Sequence, residues 1–182
     1  IFDIGTGDGK IINYLSNKCK SATTIDSEEI INRTTRKKNI TYLKGNIHEE
    51  GKRIKKRFNK ILVYSVVQHF QDLKEVVTFI NLCLKLLKDE GMILIGDIPN
   101  QDMNLRYQNT KNYQKQSRIF DNNRKLYLTK LDREFFSSNK VRTIQFSDKI
   151  LFFLLNKFNT LNYETYILPQ NKELPHPVKR VD

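Results

Sequence analysis

Ile1-Phe2-Asp3-Ile4-Gly5-Thr6-Gly7-Asp8-Gly9 opens the chain. Ile1 to Ile4 has the apolar character of a strand and runs straight into three alternate glycines. Lys10 to Lys18 then places Ile11, Ile12 and Leu15 on one helical face. A strand that ends in glycines and feeds a helix brings bare backbone to a ligand where no Cβ would fit. The dinucleotide fingerprint G-x-G-x-x-G needs a glycine at position 10, where Lys10 stands. Asp3 and Asp8 flank the loop with negative charge, which repels a pyrophosphate and suits a cationic ligand.

Working outward, the next 90 or so residues repeat the same alternation of short apolar runs and helical patterns. Ala22 to Ile25 reads as a second strand, and Ser27 with Glu28 and Glu29 as a capped helix start. Ile40 to Leu43 is a third strand and Lys60 to Ser65 a fourth. A long helix follows from Asp72 to Lys88, with Leu73, Val76, Val77, Ile80, Leu84 and Leu87 at spacings of three and four, and Gly91 placed to stop it. Met92 to Ile95 is the fifth strand, ended by Gly96-Asp97-Ile98-Pro99. Strands alternating with helices imply βαβ units: an α/β fold with a doubly wound, mostly parallel sheet.

After Pro99 the character changes. Asn100 to Lys130 is polar and tyrosine-rich, and carries Arg106, Lys111, Lys115, Arg118, Arg124, Lys125 and Lys130 against Asp102 and Asp121. Such a stretch after the fifth strand reads as a lid or binding insertion. Ser147 to Phe158 is an apolar helix capped by Ser147 or Asp148, and Tyr163 to Leu168 alternates as a sixth strand. The expected organisation is one domain over 1–182: a ligand-binding half over 1–99, an insertion over 100–146, and a C-terminal helix and strands over 147–182. Ile1 lies within a strand-like run and Val178 to Asp182 looks like a strand just starting, so both ends read as truncated.

Composition narrows the classes. The chain has 182 residues, 38% hydrophobic and 29% charged, which is globular rather than disordered. No apolar run is long enough to span a bilayer and no signal segment opens the chain, so a cytoplasmic, membrane-free protein is expected. Cys19 and Cys83 form no metal or CxxC spacing, which fits a reducing compartment and predicts no metal site. Lys and Arg number 32 against 20 Asp and Glu, a net charge of +12. That excess fits a polyanionic partner. It also fits A/T-rich codon usage, since alanine occurs once, at Ala22, and tryptophan not at all.

The glycine loop has partners at the next strand ends. Asp26 closes the second strand, where an acid can take both hydroxyls of a ribose, or instead cap the following helix. Asn46-Ile47 follows the third strand; there an amide can meet an adenine edge while an aliphatic side chain covers its face, or the pair can simply make a turn. Three ordered matches at three successive strand ends resemble the class I S-adenosylmethionine-dependent methyltransferases, over residues 1 to 98 and weakly over Tyr163 to Asp182. The resemblance implies the Rossmann-like methyltransferase fold, S-adenosylmethionine as cofactor and S-adenosylhomocysteine as product. It implies cofactor contacts at Asp3, Gly5, Thr6, Gly7 and Gly9, at Asp26 and Ser27, at Asn46 and Ile47, and at Tyr64 and Ser65 on the fourth strand end. Asn46 departs from the family, where aspartate is commoner.

Fold does not fix the acceptor. Tyr64-Ser65-Val66-Val67-Gln68-His69-Phe70 lacks the Pro-Pro-aromatic motif of exocyclic-base methylases, neither cysteine follows a proline, and Tyr64 and Ser65 are not ligands for a hard cation. The run is similar to small-molecule O- or N-methyltransferases. His69 is the expected proton acceptor, with a helix-starting role as its alternative; Gln68, Arg106, Tyr107, Arg118 and Arg124 are expected on the acceptor, a small anionic metabolite of phosphorylated or sugar type. An RNA acceptor is the alternative, since 11 basic residues lie between Arg33 and Lys60 against Glu49 and Glu50; a non-catalytic cofactor-binding partner is a third. The sequence sets no oligomeric state.

Overall fold

The computed structural model describes residues 1–111, 143–171 and 180–182. They form two compact units, residues 1–98 with Asp182, and residues 99–181.

The first unit holds a five-stranded sheet of β1 (Phe2–Ile4), β2 (Ala22–Asp26), β3 (Ile40–Lys44), β4 (Phe58–Tyr64) and β5 (Leu87–Gly96) in the order β3-β2-β1-β4-β5. The four pairings within this sheet are parallel, with Phe2 opposite both Thr23 and Ile61. The helices are α1 (Lys10–Leu15), α2 (Glu28–Arg33), α3 (Ile47–Glu50) and α4 (Leu73–Leu86), with 3-10 turns at Ser16–Lys18 and Val67–His69. This is the doubly wound α/β fold expected. All three residues of β1 are buried, as a central strand covered on both faces requires. Phe2 stacks on Phe58 with ring centroids 4.5 Å apart, and Val76, Phe79, Ile80 and Cys83 of α4 join the core. Burial pushes the Cys83 thiol up to about 12, so it behaves as an inert apolar group.

Helix starts follow local chemistry. Ser27 caps Ile30 N, and Asp72 accepts from Glu75 N at 2.8 Å while Glu75 accepts from Gln71 N at 2.8 Å. The end of α4 departs from expectation. The helix stops at Leu86, five residues before Gly91, because Leu87 turns extended, is buried, and pairs with Phe58. Arg57 fixes that start by donating to the Leu87 carbonyl at 2.8 Å. Between the pairs Phe58–Leu87 and Lys60–Met92, β5 advances five residues while β4 advances two. Glu90, not Gly91, takes the left-handed φ of 59° in that irregular stretch. In α1 only Ile12 is buried, and Ile11 faces solvent.

The second unit carries α5 (Gln101–Gln108) and α6 (Asp148–Asn159), and a separate two-stranded sheet pairs β6 (Ile98–Pro99) with β7 (Arg180–Val181). Ser147 caps α6 through Ile150 N at 3.3 Å, and Leu151, Leu154 and Phe158 form its buried stripe. The buried amide of Asn100 caps α5 at Asp102 N and Met103 N and donates to Asp148 at 2.8 Å. The expected sixth strand is absent: Tyr163 to Leu168 is irregular, with Tyr163, Tyr166 and Leu168 exposed. Alternation alone does not make a strand. Here Thr165 N donates to the Asn159 side chain instead of a ladder, and the nearest pairing is one isolated bridge from Pro169 to Val181.

Candidate active site

The strand order reverses between β1 and β4, so the carboxyl ends of those strands flank a topological switch point, where open α/β sheets bind ligands. Gly5, Gly7 and Gly9 carry the chain from β1 to α1 with φ of 85°, 51° and 80°. Gly5 N donates to the Ile25 carbonyl at 3.0 Å, which lays the loop across the end of β2. A Cβ on Gly5 would meet Val66 Cγ2 at 2.4 Å, whereas one on Gly7 would meet nothing within 4 Å. The two glycines therefore do different work. Gly5 lets the loop close on the end of β4, and Gly7 keeps backbone bare toward open space. Gly5→Ala is expected to cost about 2–3 kcal/mol of stability, from a left-handed alanine plus an overpacked contact. Gly7→Ala should cost only about 1 kcal/mol, the backbone term alone. Urea midpoints of the two variants check the contrast.

Asp26 ties the loop to β2. Its carboxylate accepts from Gly7 N at 3.1 Å and from Ser27 N at 2.7 Å. Ser27 itself is exposed and caps α2. Asp8 is exposed, accepts from Lys10 N, and pairs with the Lys10 ammonium at 2.6 Å, so its charge is partly satisfied locally. Asn46 caps α3 by accepting from His48 N at 2.8 Å, while its amide nitrogen stays at the surface beside the buried Ile47.

Asp3 is buried beneath the loop and accepts from the Thr24 hydroxyl at 3.0 Å. Burial pushes its carboxyl up to about 6, with the nearby Asp26 charge adding to the rise and the hydroxyls of Thr24 and Thr6 opposing it. Thr6 is buried too. A carboxyl whose pKa is higher in the native than in the unfolded chain binds its proton more tightly when folded. Its contribution to stability is therefore greatest below about pH 4, declines between about pH 4 and 6, and is flat above. Two pKa units correspond to about 3 kcal/mol. The stability difference between wild type and Asp3→Asn should shift by that amount in the variant's favour from pH 4 to pH 7, read from denaturant curves at each pH.

At the end of β4 and β5, Ser65 and Asp97 both adopt left-handed backbone, with φ of 59° and 61°. Their side chains hydrogen-bond to each other, Ser65 N donates to the Gly96 carbonyl, and Asp97 N donates to the Asp182 carboxylate at 2.9 Å. Non-glycine residues held there cost about 1–3 kcal/mol each and cluster at functional sites. Tyr64 is half-buried and its ring packs against Gly96. Gln68 is half-buried in the Val67–His69 turn and His69 is exposed at its end.

Thr34 is a residue the sequence reading missed. Its hydroxyl proton is shared between the Ile30 carbonyl at 2.8 Å and the Gly7 carbonyl at 3.0 Å, and its methyl sits where a Gly9 Cβ would be. A lone threonine 27 residues from its partner carries no local signal. In the second unit, Arg106 pairs with Asp148 at 2.7 Å and Tyr107 lies on the same helix, α5. Arg118 and Arg124 lie outside the described residues. Among the described residues no cluster of His, Cys, Asp or Glu could hold a metal ion, and no helix is long and apolar enough to cross a membrane.

Residues 2–95 match the methyltransferase domain family, 94 of 182 residues. The chain belongs to that family. Solved structures share the fold. The N-methyltransferase NodS of Bradyrhizobium japonicum WM9 aligns at 24% identity over 57% of this chain and 60% of its own, with a TM-score of 0.50. The plantazolicin methyltransferase BamL, solved with a substrate analogue and S-adenosylhomocysteine (SAH), aligns at 16% over 97% of this chain and 63% of its own, with a TM-score of 0.63. The DhpI–SAM–HEP complex aligns at 12% over 91% and 71%, with a TM-score of 0.60. The chain thus spans less than two thirds of the first two of these proteins. No curated protein matches the sequence.

Proposed function

We propose that this methyltransferase domain binds S-adenosylmethionine at the carboxyl ends of β1 to β4 and transfers its methyl group to an O or N atom of a small acceptor. The observation that carries the reading is the hydrogen bond from Gly7 N to Asp26, which joins the bare-backbone loop and the second-strand acid into one surface. The residues present fit such a cofactor. The open face at Gly7 admits a ligand against backbone, and Asp3 and Asp26 supply negative charge for a ligand bearing an ammonium and a sulfonium. When bound, the cofactor supplies a methyl group on a sulfonium, a good leaving group, and S-adenosylhomocysteine is what remains.

In this reading Gly5, Thr6, Gly7 and Gly9 surround the methionine portion, with Tyr64 and Ser65 contributing from β4. Asp26 takes the ribose hydroxyls beside Ser27, and Asn46 and Ile47 hold the adenine. His69 accepts the proton that the acceptor oxygen or nitrogen gives up as its new bond to carbon forms. Asp97, fixed by Ser65 and Asp182, orients the acceptor, and alignment supplies much of the acceleration. Gln68 adds an acceptor contact from the first unit. The anionic-acceptor reading rests on Arg118 and Arg124, since Arg106 is already paired with Asp148. The free thiols Cys19 and Cys83 fit a cytoplasmic setting.

Incubating the chain with methyl-labelled S-adenosylmethionine and a metabolite extract, beside total RNA, tests this by mass spectrometry. Label in a small molecule supports the proposal. Label only in RNA reassigns the acceptor. Calorimetry showing that S-adenosylhomocysteine does not bind would overturn the cofactor itself.

A further inference from the structure

A parallel sheet has two chemically distinct edges, and in the first unit charge is segregated between them. Asp3, Asp26 and Asp97 stand at or near the carboxyl ends of their strands. The opposite, amino edge is basic: Lys20 precedes β2, Lys38 precedes β3, Lys55 and Lys56 precede β4, Lys60 is the third residue of β4, and Lys88 the second of β5. All six are exposed. Among the described residues none of them makes an ion pair. Of the acids beside the start of β5, Asp89 is bound by Arg57 at 3.2 Å, which leaves Glu90. By contrast, at the carboxyl edge Lys10 and Lys44 are paired with Asp8 and Glu28.

Two ordinary causes of lysine do not produce this pattern. Helix dipoles favour lysine in last helical turns, but these six lie in loops and strands. A/T-rich codon usage adds lysine without regard to strand direction. The register brings the set together, because Phe58 pairs with Leu87 and so sets Lys56 and Lys88 on neighbouring strand starts. Five strands about 4.8 Å apart make this an edge about 19 Å wide. We infer that the amino edge of the sheet is a docking face for the phosphate backbone of a nucleic acid, remote from the site of methyl transfer. An anionic membrane surface fits less well, since the apolar residues at the strand starts, Phe2, Ala22, Ile40, Phe58 and Leu87, are all buried and offer nothing to insert. Tyr14, exposed in the last turn of α1 with the Lys18 ammonium 4.5 Å from its ring, offers a base a stacking surface.

This inference does not rest on the proposed methyl transfer, and a different measurement tests it. A fluorescein-labelled single-stranded RNA of mixed sequence is titrated with the 182-residue chain at 50 to 200 mM salt and followed by anisotropy. Six phosphate contacts predict a slope of log affinity against log salt of about −4, at about −0.7 per contact. The variant with Lys55, Lys56, Lys60 and Lys88 all changed to Gln should lose about 3 from that slope and bind at least tenfold more weakly at the lower salt. A second variant, with Lys10, Lys44 and Lys74, the second residue of α4, changed to Gln, removes charge from the carboxyl side of the sheet and should keep the wild-type slope. Thermal melts establish that both are folded. Equal losses in the two variants, no binding at 50 mM salt, or binding to phosphatidylserine vesicles but not to RNA would each overturn the assignment.

Discussion

Replacing Asp26 with alanine is expected to weaken S-adenosylhomocysteine binding by about 10²- to 10³-fold. The carboxylate already accepts from Gly7 N and Ser27 N, so its position is set before any ligand arrives. Its remaining lone pairs are the ones offered to two ribose hydroxyls. A hydrogen bond to a charged group contributes about 1.5–3 kcal/mol, and two at the lower end already amount to about 10² in affinity. Removing the carboxylate also releases the loop amide, so part of the loss is ordering of Gly7 that the ligand must then supply. Asp26→Asn keeps one acceptor oxygen and should fall between wild type and alanine. Calorimetry on the three proteins reads the series directly. Equal affinities would remove Asp26 from the cofactor site and leave it a loop anchor only.

What could be seen from the sequence was what local chemistry decides. The glycine loop follows a buried strand and opens a helix, and Ser27, Asp72 and Ser147 cap the helices they precede, because a cap needs only residues three or four positions away. Distant partners decided the rest. Leu87 leaves the helix for a strand because Phe58 is its neighbour, and Gly91 therefore has no helix to end. Tyr163 to Leu168 has a strand's alternation but, among the described residues, no ladder to join. Arg106 looked free until α6 brought Asp148 to it from 42 residues away. Thr34, Val66 and Asp182 support the loop and the ends of β4 and β5 by the same kind of long-range placement.

That division bears on His69, whose local reading left two roles open. A helix-starting role is already filled: Asp72 caps α4, and Glu75 closes back on Gln71 N. The turn that carries His69 is anchored by Val67 and Phe70, both buried, while the imidazole is exposed. His69→Ala should therefore fold like wild type and bind S-adenosylhomocysteine as well. Turnover should nevertheless fall by about 10²–10⁴, the usual contribution of a positioned base. That corresponds to about 3–5 kcal/mol in the barrier. A stiff test is an acceptor that is already deprotonated: the two proteins should then turn over at nearly the same rate. A folded His69→Ala protein within about fivefold of wild type on a protonated acceptor would leave no proton for His69 to take. The rate would then come from alignment at the ends of β4 and β5, where Ser65 and Asp97 hold left-handed backbone beside each other.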